Sequence, residues 1–305
     1  MMKIVSLLPS ATEIVYALGL GDRLAAVSCD CDYPSEARSK PVVSISGLKV
    51  DENSSPAMID REVRNSLSAA DPIYQPDREL VRELQPDLIL AQDLCRVCAV
   101  PSGHVNEALE SLGCAADVIS LDPNILADVL DGIEQVARSA SVASRGNQLV
   151  NALRKRIVAV GSATKNLTPV PAFALEWADP PFTGGHWVPE MVRLAGGREV
   201  LGIEGAPSRA CTWEEVVATS PEVIVFMPCG YGLAATIDQA HNLYDVVEFA
   251  STPAAARGEI WAVDGSSYFS RPAPRLVDGL EILAWILHPD FFPAPPPGRV
   301  ERVSM

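Results

Sequence analysis

The chain lacks several features that would assign it to common functional classes. No apolar run approaches the ~20 residues needed to span a bilayer, so the sequence predicts no membrane insertion. A basic surplus is also missing: the formal net charge of the 305 residues is −15, which argues against a nucleic-acid partner. Motifs of the types G-x-G-x-x-G, P-loop, G-x-S-x-G and H-E-x-x-H are absent, so the sequence does not indicate the enzyme classes that carry them.

A secretory signal is not recognised either. The first three residues precede an apolar stretch, but Pro9, Ser10 and Glu13 interrupt it. This segment is instead typical of the first strand and helix of a domain. We therefore expect a cytoplasmic protein, or a periplasmic or lipid-anchored one if its signal is not part of this sequence.

The most informative feature present is a repeated pattern of buried strand, loop and amphipathic helix. It occurs at residues 2–22 and again at 171–197, and each copy is followed by a second apolar strand, at 84–95 and 219–232. Ligand sites of α/β folds lie at the carboxyl ends of their strands, which is where all four loops fall. The repetition predicts two α/β lobes with a ligand cleft between them.

The predicted domain boundaries follow from composition and periodicity. Residues 1–123 form the N-terminal lobe and residues 168–305 the C-terminal lobe. Residues 124–167 show helical periodicity with no glycine-rich break and predict a single long helix that joins the lobes. The proline-rich end, residues 293–305, is predicted to be disordered.

A series of motifs, taken in order, resembles the class III substrate-binding proteins of ABC importers. These are S-A-T-E at residues 10–13, D-Y-P at 32–34, Q-P-D-L-I-L at 85–90, D-P-P-F at 179–182 and Y-F-S-R-P-A-P-R at 268–275. The last run is similar to one in vitamin B12-binding members. The resemblance covers nearly the whole chain. It implies two Rossmann-like lobes that hold cobalamin or a ferric chelate between them, without catalysis.

Residue by residue, the resemblance implies a ligand-binding set drawn from the strand-end loops of both lobes. Aromatic side chains supply rigid apolar contact area for a corrin or porphyrin. Core packing is an equal alternative for Trp177, and a structural hydrogen bond is one for His186. The set comprises Cys31, Tyr33, Ser46, Gly47, Asp93, Trp177, Phe182, His186, Trp187, Cys229, Tyr231, Tyr268, Phe269 and Arg271.

The resemblance also implies a protein partner. Family members dock onto their transporter through one glutamate on each lobe, and the matching residues are Glu79 and Glu214. Both lie in the first turn of a predicted helix, where the helix dipole favours an acid for structural reasons alone. The expected partner is an ABC importer, or a cytosolic acceptor protein if the chain is not exported.

The cysteines depart from the family. Cys29 and Cys31 form a Cys-x-Cys pair, and Cys95 and Cys98 form a Cys-x-x-Cys pair, both after strands of the first lobe. Four thiolates would suffice for zinc or an iron–sulfur cluster. The alternative functions are therefore a cytosolic metal- or thiolate-site protein, or a cleft enzyme on the same fold. In the simplest alternative Cys29 and Cys95 point into the core, and only Cys31 and Cys98 face the cleft.

Overall fold

The computed structural model describes residues 1–50, 54–68, 73–93 and 115–304. The chain divides into two units. Unit 1 comprises Met1–Pro123 and Asp128–Asn151, and unit 2 comprises Asn124–Ala127 and Ala152–Met305. Each unit contains one sheet with helices between its strands, which confirms the predicted α/β fold.

Unit 1 is built on a mainly parallel sheet. Among the described residues its strand order is β4-β3-β2-β1-β5-β6, and β3–β4 is the antiparallel pair. The inner strands β1 and β5 are buried along their whole length, as expected of apolar runs in a parallel sheet. The strands are β1 (Ile4–Ser6), β2 (Leu24–Ser28), β3 (Val42–Ser46), β4 (Tyr74–Pro76), β5 (Leu88–Ala91) and β6 (Asp117–Ser120).

The helices of unit 1 begin at residues suited to helix starts. The first helix has a proline in its first turn, and Asp77 caps the third by accepting a hydrogen bond from the Leu80 N–H at 3.0 Å. The helices are α1 (Pro9–Ala17), α2 (Pro56–Ser68), α3 (Arg78–Leu84), α4 (Leu126–Ser139) and the beginning of α5 (Ala143–Thr164).

The predicted single helix over residues 124–167 is two helices, α4 and α5. Ser141 adopts a left-handed conformation with φ 57°, and the N–H of Val142 donates to the Ala137 carbonyl at 2.8 Å. This is the hydrogen-bond pattern of a Schellman helix end. The sequence concealed the break because serine, rather than the usual glycine, occupies the left-handed position. The division between the units falls within α5.

Unit 2 has a second sheet with a long central strand. Among the described residues its order is β12-β11-β10-β7-β8, and β9 also pairs with β7. Strand β7 is parallel to β10, and Phe173 and Phe226 on these two strands lie fully buried in the core. The strands are β7 (Val170–Ala178), β8 (Pro181–Thr183), β9 (Gly197–Glu199), β10 (Val223–Phe226), β11 (Ile260–Val263) and β12 (Val300–Val303).

The helices of unit 2 follow α5 along the chain. They are α6 (Val188–Leu194), α7 (Trp213–Thr219), α8 (Leu233–Leu243), α9 (Val247–Ala250), α10 (Pro253–Arg257), α11 (Gly265–Tyr268) and α12 (Leu276–Leu287). Helix α7 begins with a capping box in which Thr212 and Glu215 exchange hydrogen bonds. No helix in the described part of the chain is long and apolar enough to cross a membrane.

The prediction of a disordered C-terminal end was wrong. Strand β12 pairs antiparallel with β11, and the Val303 side chain is buried while the Tyr244 hydroxyl donates to the Val303 carbonyl at 3.1 Å. Proline-rich composition indicates the absence of local structure. It carries no information about a strand whose partner is distant in sequence.

Candidate functional site

The carboxyl ends of β7 and β10 bring together two aromatic residues predicted to bind ligand. Because the two strands are parallel neighbours, their ends meet at one edge of the unit 2 sheet. Trp177 lies near the end of β7, and Tyr231 lies in the loop after β10. Their rings make an edge-on contact with centroids 5.6 Å apart, and both side chains are half-buried.

A third aromatic side chain belongs to the same surface. The antiparallel pair β7–β8 places Phe182 directly opposite Trp177, so both side chains project from the same face of the hairpin. Phe182 is also half-buried. We refer to Trp177, Phe182 and Tyr231 as the aromatic edge. It is a partly exposed, mainly apolar surface that includes one indole N–H and one phenolic hydroxyl.

Trp187 and Phe269 occupy a different environment from the aromatic edge. Both side chains are buried, with 5% and 1% of their surface exposed. The indole Nε1 of Trp187 donates to the Phe269 carbonyl at 2.8 Å. This hydrogen bond therefore joins the start of α6 to the end of α11. The contact of these two residues with a ligand stays a prediction, since a loop position in the sequence does not reveal which way the side chain points.

His186 follows Phe182 by four residues and is held in an unusual backbone conformation. Its φ of 51° lies in the left-handed region, and its N–H donates to the Ala206 carbonyl at 2.6 Å. Among the described residues the buried Nδ1 of His186 has no hydrogen-bond partner. Burial lowers the pKa of the imidazole, so the ring is neutral at physiological pH. A neutral imidazole could accept a hydrogen bond or bind a metal centre.

The loop that carries His186 has little freedom. The Gly185 N–H donates to the Glu176 carboxylate at 3.0 Å, and burial raises the pKa of that carboxyl. A Cβ atom on Gly185 would lie 2.2 Å from the Ser208 nitrogen, so a larger residue does not fit. The sequence G-G-H-W therefore encodes a tightly packed turn.

Tyr268 lies at the end of α11, with arginines around its ring. The Ser267 N–H donates to the Asp264 carboxylate at 2.8 Å and so caps the helix. The guanidinium carbons of Arg275 and Arg299 lie 5.8 and 5.1 Å from the ring centroid. Burial raises the pKa of Tyr268, and the two positive charges oppose that rise. Arg271, the predicted contact to a polar ligand edge, is half-buried in the same segment.

In unit 1 the predicted residues also lie after strands, and most are exposed. Tyr33 has 46% of its surface exposed, and Ser46 and Gly47 are exposed at the end of β3. Asp93 follows β5, where its N–H donates to the Asp122 carboxylate at 2.6 Å. Sequence reasoning missed a neighbour: the Tyr74 hydroxyl donates to the Asp30 carboxylate. The position of Asp30 between two strand-end cysteines was the available signal.

The Cys-x-Cys pair does not present two thiols to one site. Cys29 is exposed, whereas Cys31 is 4% exposed and accepts a hydrogen bond from the Thr12 hydroxyl at 3.1 Å. This reverses the expected orientation, since Cys31 is the core residue. The Thr12 contact ties the loop after β2 to α1, and the predicted ligand contact of Cys31 stays a prediction.

The other thiols give no metal site within the described residues. Cys95 and Cys98 lie outside the residues that the structure describes, and Cys229 is exposed after β10. The described residues contain no group of three or more His, Cys, Asp or Glu side chains that could hold a metal ion. Zinc or an iron–sulfur cluster therefore has no support in the described part of the chain.

A family model described as periplasmic binding protein matches residues 4–265. The chain belongs to the periplasmic binding protein family. This confirms the resemblance drawn from the sequence motifs.

Named members of this family match over most of the chain. The vitamin B12-binding protein of Vibrio parahaemolyticus is 26% identical over 287 residues, which cover 91% of this chain and 86% of the relative. Among solved structures, the periplasmic vitamin B12-binding protein BtuF of Vibrio cholerae is 25% identical with a TM-score of 0.66, covering 93% of this chain and 96% of that one. A periplasmic heme-binding protein from Pseudomonas aeruginosa has a TM-score of 0.74 at 19% identity. The match covers 100% of this chain and 98% of that protein.

The two glutamates predicted to dock onto a transporter are exposed in this periplasmic binding protein. Glu79 lies in the first turn of α3 and Glu214 in the first turn of α7. The pKa of Glu214 is below its usual value because its carboxylate accepts hydrogen bonds from its own N–H and the Thr212 hydroxyl. Both side chains are therefore accessible within their own units, and hydrogen bonding favours the charged form of Glu214.

Proposed function

We propose that the protein is a non-catalytic substrate-binding protein that captures a corrinoid and delivers it to an ABC importer. Similarity to vitamin B12-binding proteins over about nine-tenths of the chain is the observation that carries this proposal. Ferric chelates such as haem are the second candidate, because heme-binding proteins share the fold. The alternative functions, a cytosolic metal-site protein and a cleft enzyme, have no comparable support.

The aromatic edge is the proposed main contact in unit 2. A corrin or porphyrin is a broad apolar ring system with polar substituents, and Trp177, Phe182 and Tyr231 offer a matching surface. Tyr268 and Arg271 would meet polar groups at the ligand margin, and neutral His186 would meet a hydrogen-bond donor or the metal centre. Cys229 lies in the same loop as Tyr231 and would contact the ligand through van der Waals packing.

The strand-end surface of unit 1 is proposed to contribute the polar contacts. Tyr33, Ser46, Gly47 and Asp93 are partly or largely exposed at the carboxyl ends of β2, β3 and β5. Their hydroxyl, backbone and carboxylate groups suit the amide side chains that decorate a corrin ring. The buried Cys31 would act indirectly by holding the Tyr33 loop.

Delivery to an importer gives Glu79 and Glu214 a proposed role as docking residues. Their exposure and negative charge suit a transporter surface that carries arginines, although the helix dipole also favours both positions. Similarity to periplasmic proteins favours action outside the cytoplasm, so the expected cytoplasmic location and cytosolic acceptor are not retained. Removing both carboxylates should reduce transport and leave ligand affinity unchanged.

Isothermal titration with cyanocobalamin, cobinamide and haemin tests the ligand class. We expect micromolar or tighter binding of a corrinoid. Trp177→Leu should weaken it by about 2 kcal/mol, as expected for a well-buried aromatic contact. Trp261→Leu is the matched control: Trp261 is a half-buried tryptophan of unit 2 within β11, where it packs on Trp285. If only haemin binds, the proposed ligand class changes from a corrinoid to a porphyrin. If none of the three compounds gives a heat of binding, the proposal is rejected.

A further inference from the structure

We propose that the C-terminal strand β12, through Arg299, positions Tyr268, the proposed ligand contact at the end of α11, so that Arg299 is a positioning residue of the site. This inference rests on the proposed function for its effect on binding, and on geometry alone for its effect on α11. Both Arg299 and β12 lie beyond the residues matched by the family model, which end at 265.

Strand β12 fixes the backbone before α11. Strand β12 pairs with all four residues of β11, and the register ends with Val300 opposite Val263. The next residue, Asp264, donates its N–H to the Arg299 carbonyl at 3.2 Å. Because Asp264 is also the N-cap of α11, the end of the chain holds the residue at which this helix begins.

The Arg299 side chain contacts both Tyr268 and α12. Its guanidinium lies 5.1 Å from the Tyr268 ring centroid, within the range of a cation–π contact. The same group lies 3.7 Å from the Asp278 carboxylate on α12, and Asp278 is in turn paired with Arg156 of α5. The cation is therefore itself held from a second direction, and it limits movement of the Tyr268 ring.

Helix α11 is also connected to the aromatic edge. The Ser266 N–H donates to the Tyr231 carbonyl at 3.2 Å, so the helix is hydrogen-bonded to the loop that carries Tyr231. At its other end, a Cβ atom on Gly279 of α12 would lie 2.2 Å from the Tyr268 carbonyl oxygen. Helix α11 is thus packed closely between that loop and α12, and a shift at either end would move both tyrosines.

The same strand offers a matched control. Arg302 also makes a cation–π contact, with its guanidinium 5.9 Å from the Trp261 ring, and it pairs with Glu259. Arg302 contacts β11 and the turn before it, whereas Arg299 contacts α11 and α12. Arg299→Gln and Arg302→Gln therefore remove the same kind of interaction from one strand at different places.

Hydrogen–deuterium exchange of residues 264–271 without ligand tests the positioning directly. We expect faster exchange in Arg299→Gln, near wild-type exchange in Arg302→Gln, and partial recovery in Arg299→Lys, since lysine keeps the charge. Equal exchange of this segment in the two glutamine variants would overturn the proposal, whatever their thermal stabilities.

The binding arm uses cyanocobalamin and haemin with the same variants. We compare affinities for whichever of the two compounds the wild-type protein binds. Arg299→Gln should weaken this affinity about fivefold, the size expected of a cation–π contact at a half-exposed site. Arg302→Gln should leave it unchanged. Unchanged affinity in Arg299→Gln would show that the positioning has no role in binding. If the wild-type protein binds neither probe, the proposed function fails by itself and the exchange measurement still decides whether β12 positions α11.

Discussion

Glu199 provides a test of how unit 2 holds the turn after β9. One carboxylate oxygen accepts the Ala174 N–H at 3.0 Å, and the other accepts the N–H groups of Val200, Leu201 and Gly202 at 3.1, 3.2 and 3.2 Å. Glu199→Gln keeps the shape but replaces one acceptor oxygen by an NH₂ group. Whichever way the amide turns, at least one backbone N–H then faces a donor.

Two effects of known sign determine the magnitude. Loss of an acceptor for the buried Ala174 N–H should cost about 1–3 kcal/mol. Burial also raises the pKa of Glu199 from 4.5 to about 7, more than its four hydrogen bonds lower it. The folded state then binds the proton more tightly than the unfolded state, so stability is full below pH 4.5 and falls by ~1.4 kcal/mol per pH unit until pH 7. The wild type should lose roughly 3 kcal/mol in this window, and the glutamine variant should not.

Urea unfolding from pH 4.5 to pH 8 measures this difference. All five tryptophans of the chain lie in unit 2, so their fluorescence follows unfolding of the unit that contains Glu199. The stability advantage of the wild type over Glu199→Gln should be largest at the acid end and shrink as pH rises. Other titrating groups, including Glu176 and His186, are common to both proteins and cancel in the comparison. An advantage that grows with pH would show that the hydrogen bonds outweigh burial and depress the pKa, which would refute this reasoning.

Two further predictions concern residues singled out by the sequence. His186→Gly should be about 0.5–1 kcal/mol more stable to urea than His186→Ala, because both lose the ring but only glycine tolerates φ 51° without strain; equal stabilities would remove the argument for strain. Iodoacetamide labelling followed by peptide mass spectrometry should modify exposed Cys29 and Cys229 before buried Cys31 and Cys211, since burial raises the pKa of Cys211 to about 11; early labelling of Cys31 would contradict the buried position of its thiol.

The sequence was most informative where local pattern and tertiary structure agree. The apolar runs of β1, β5 and β10 are buried along their whole length. A continuous apolar run must be buried whichever strands are its neighbours. The apolar pattern alone is therefore sufficient to identify such a strand. The same reasoning placed Trp177 and Tyr231 after parallel strands, and their rings are in contact.

The remaining features depend on distant contacts. Strand β12 pairs with β11, and the indole N–H of the buried Trp187 donates to the Phe269 carbonyl, which is distant in sequence. Cys31 and Cys29 are two residues apart in one loop, yet their burial is opposite, since Thr12 of α1 lies beside only one of them. No local periodicity encodes these partners.

Partly buried carboxylates of unit 2 hold loop backbone in place without a bound ligand. Glu176 accepts the Gly185 N–H, Glu190 accepts the Leu126 N–H at 2.8 Å, and Glu199 accepts four N–H groups. Each satisfies backbone donors that a loop would otherwise direct to water. A binding surface whose loops are already fixed loses less conformational entropy when it binds. Under the proposed function, acidic residues of unit 2 without a direct ligand contact would therefore contribute to affinity through the order that they impose on the backbone around β7.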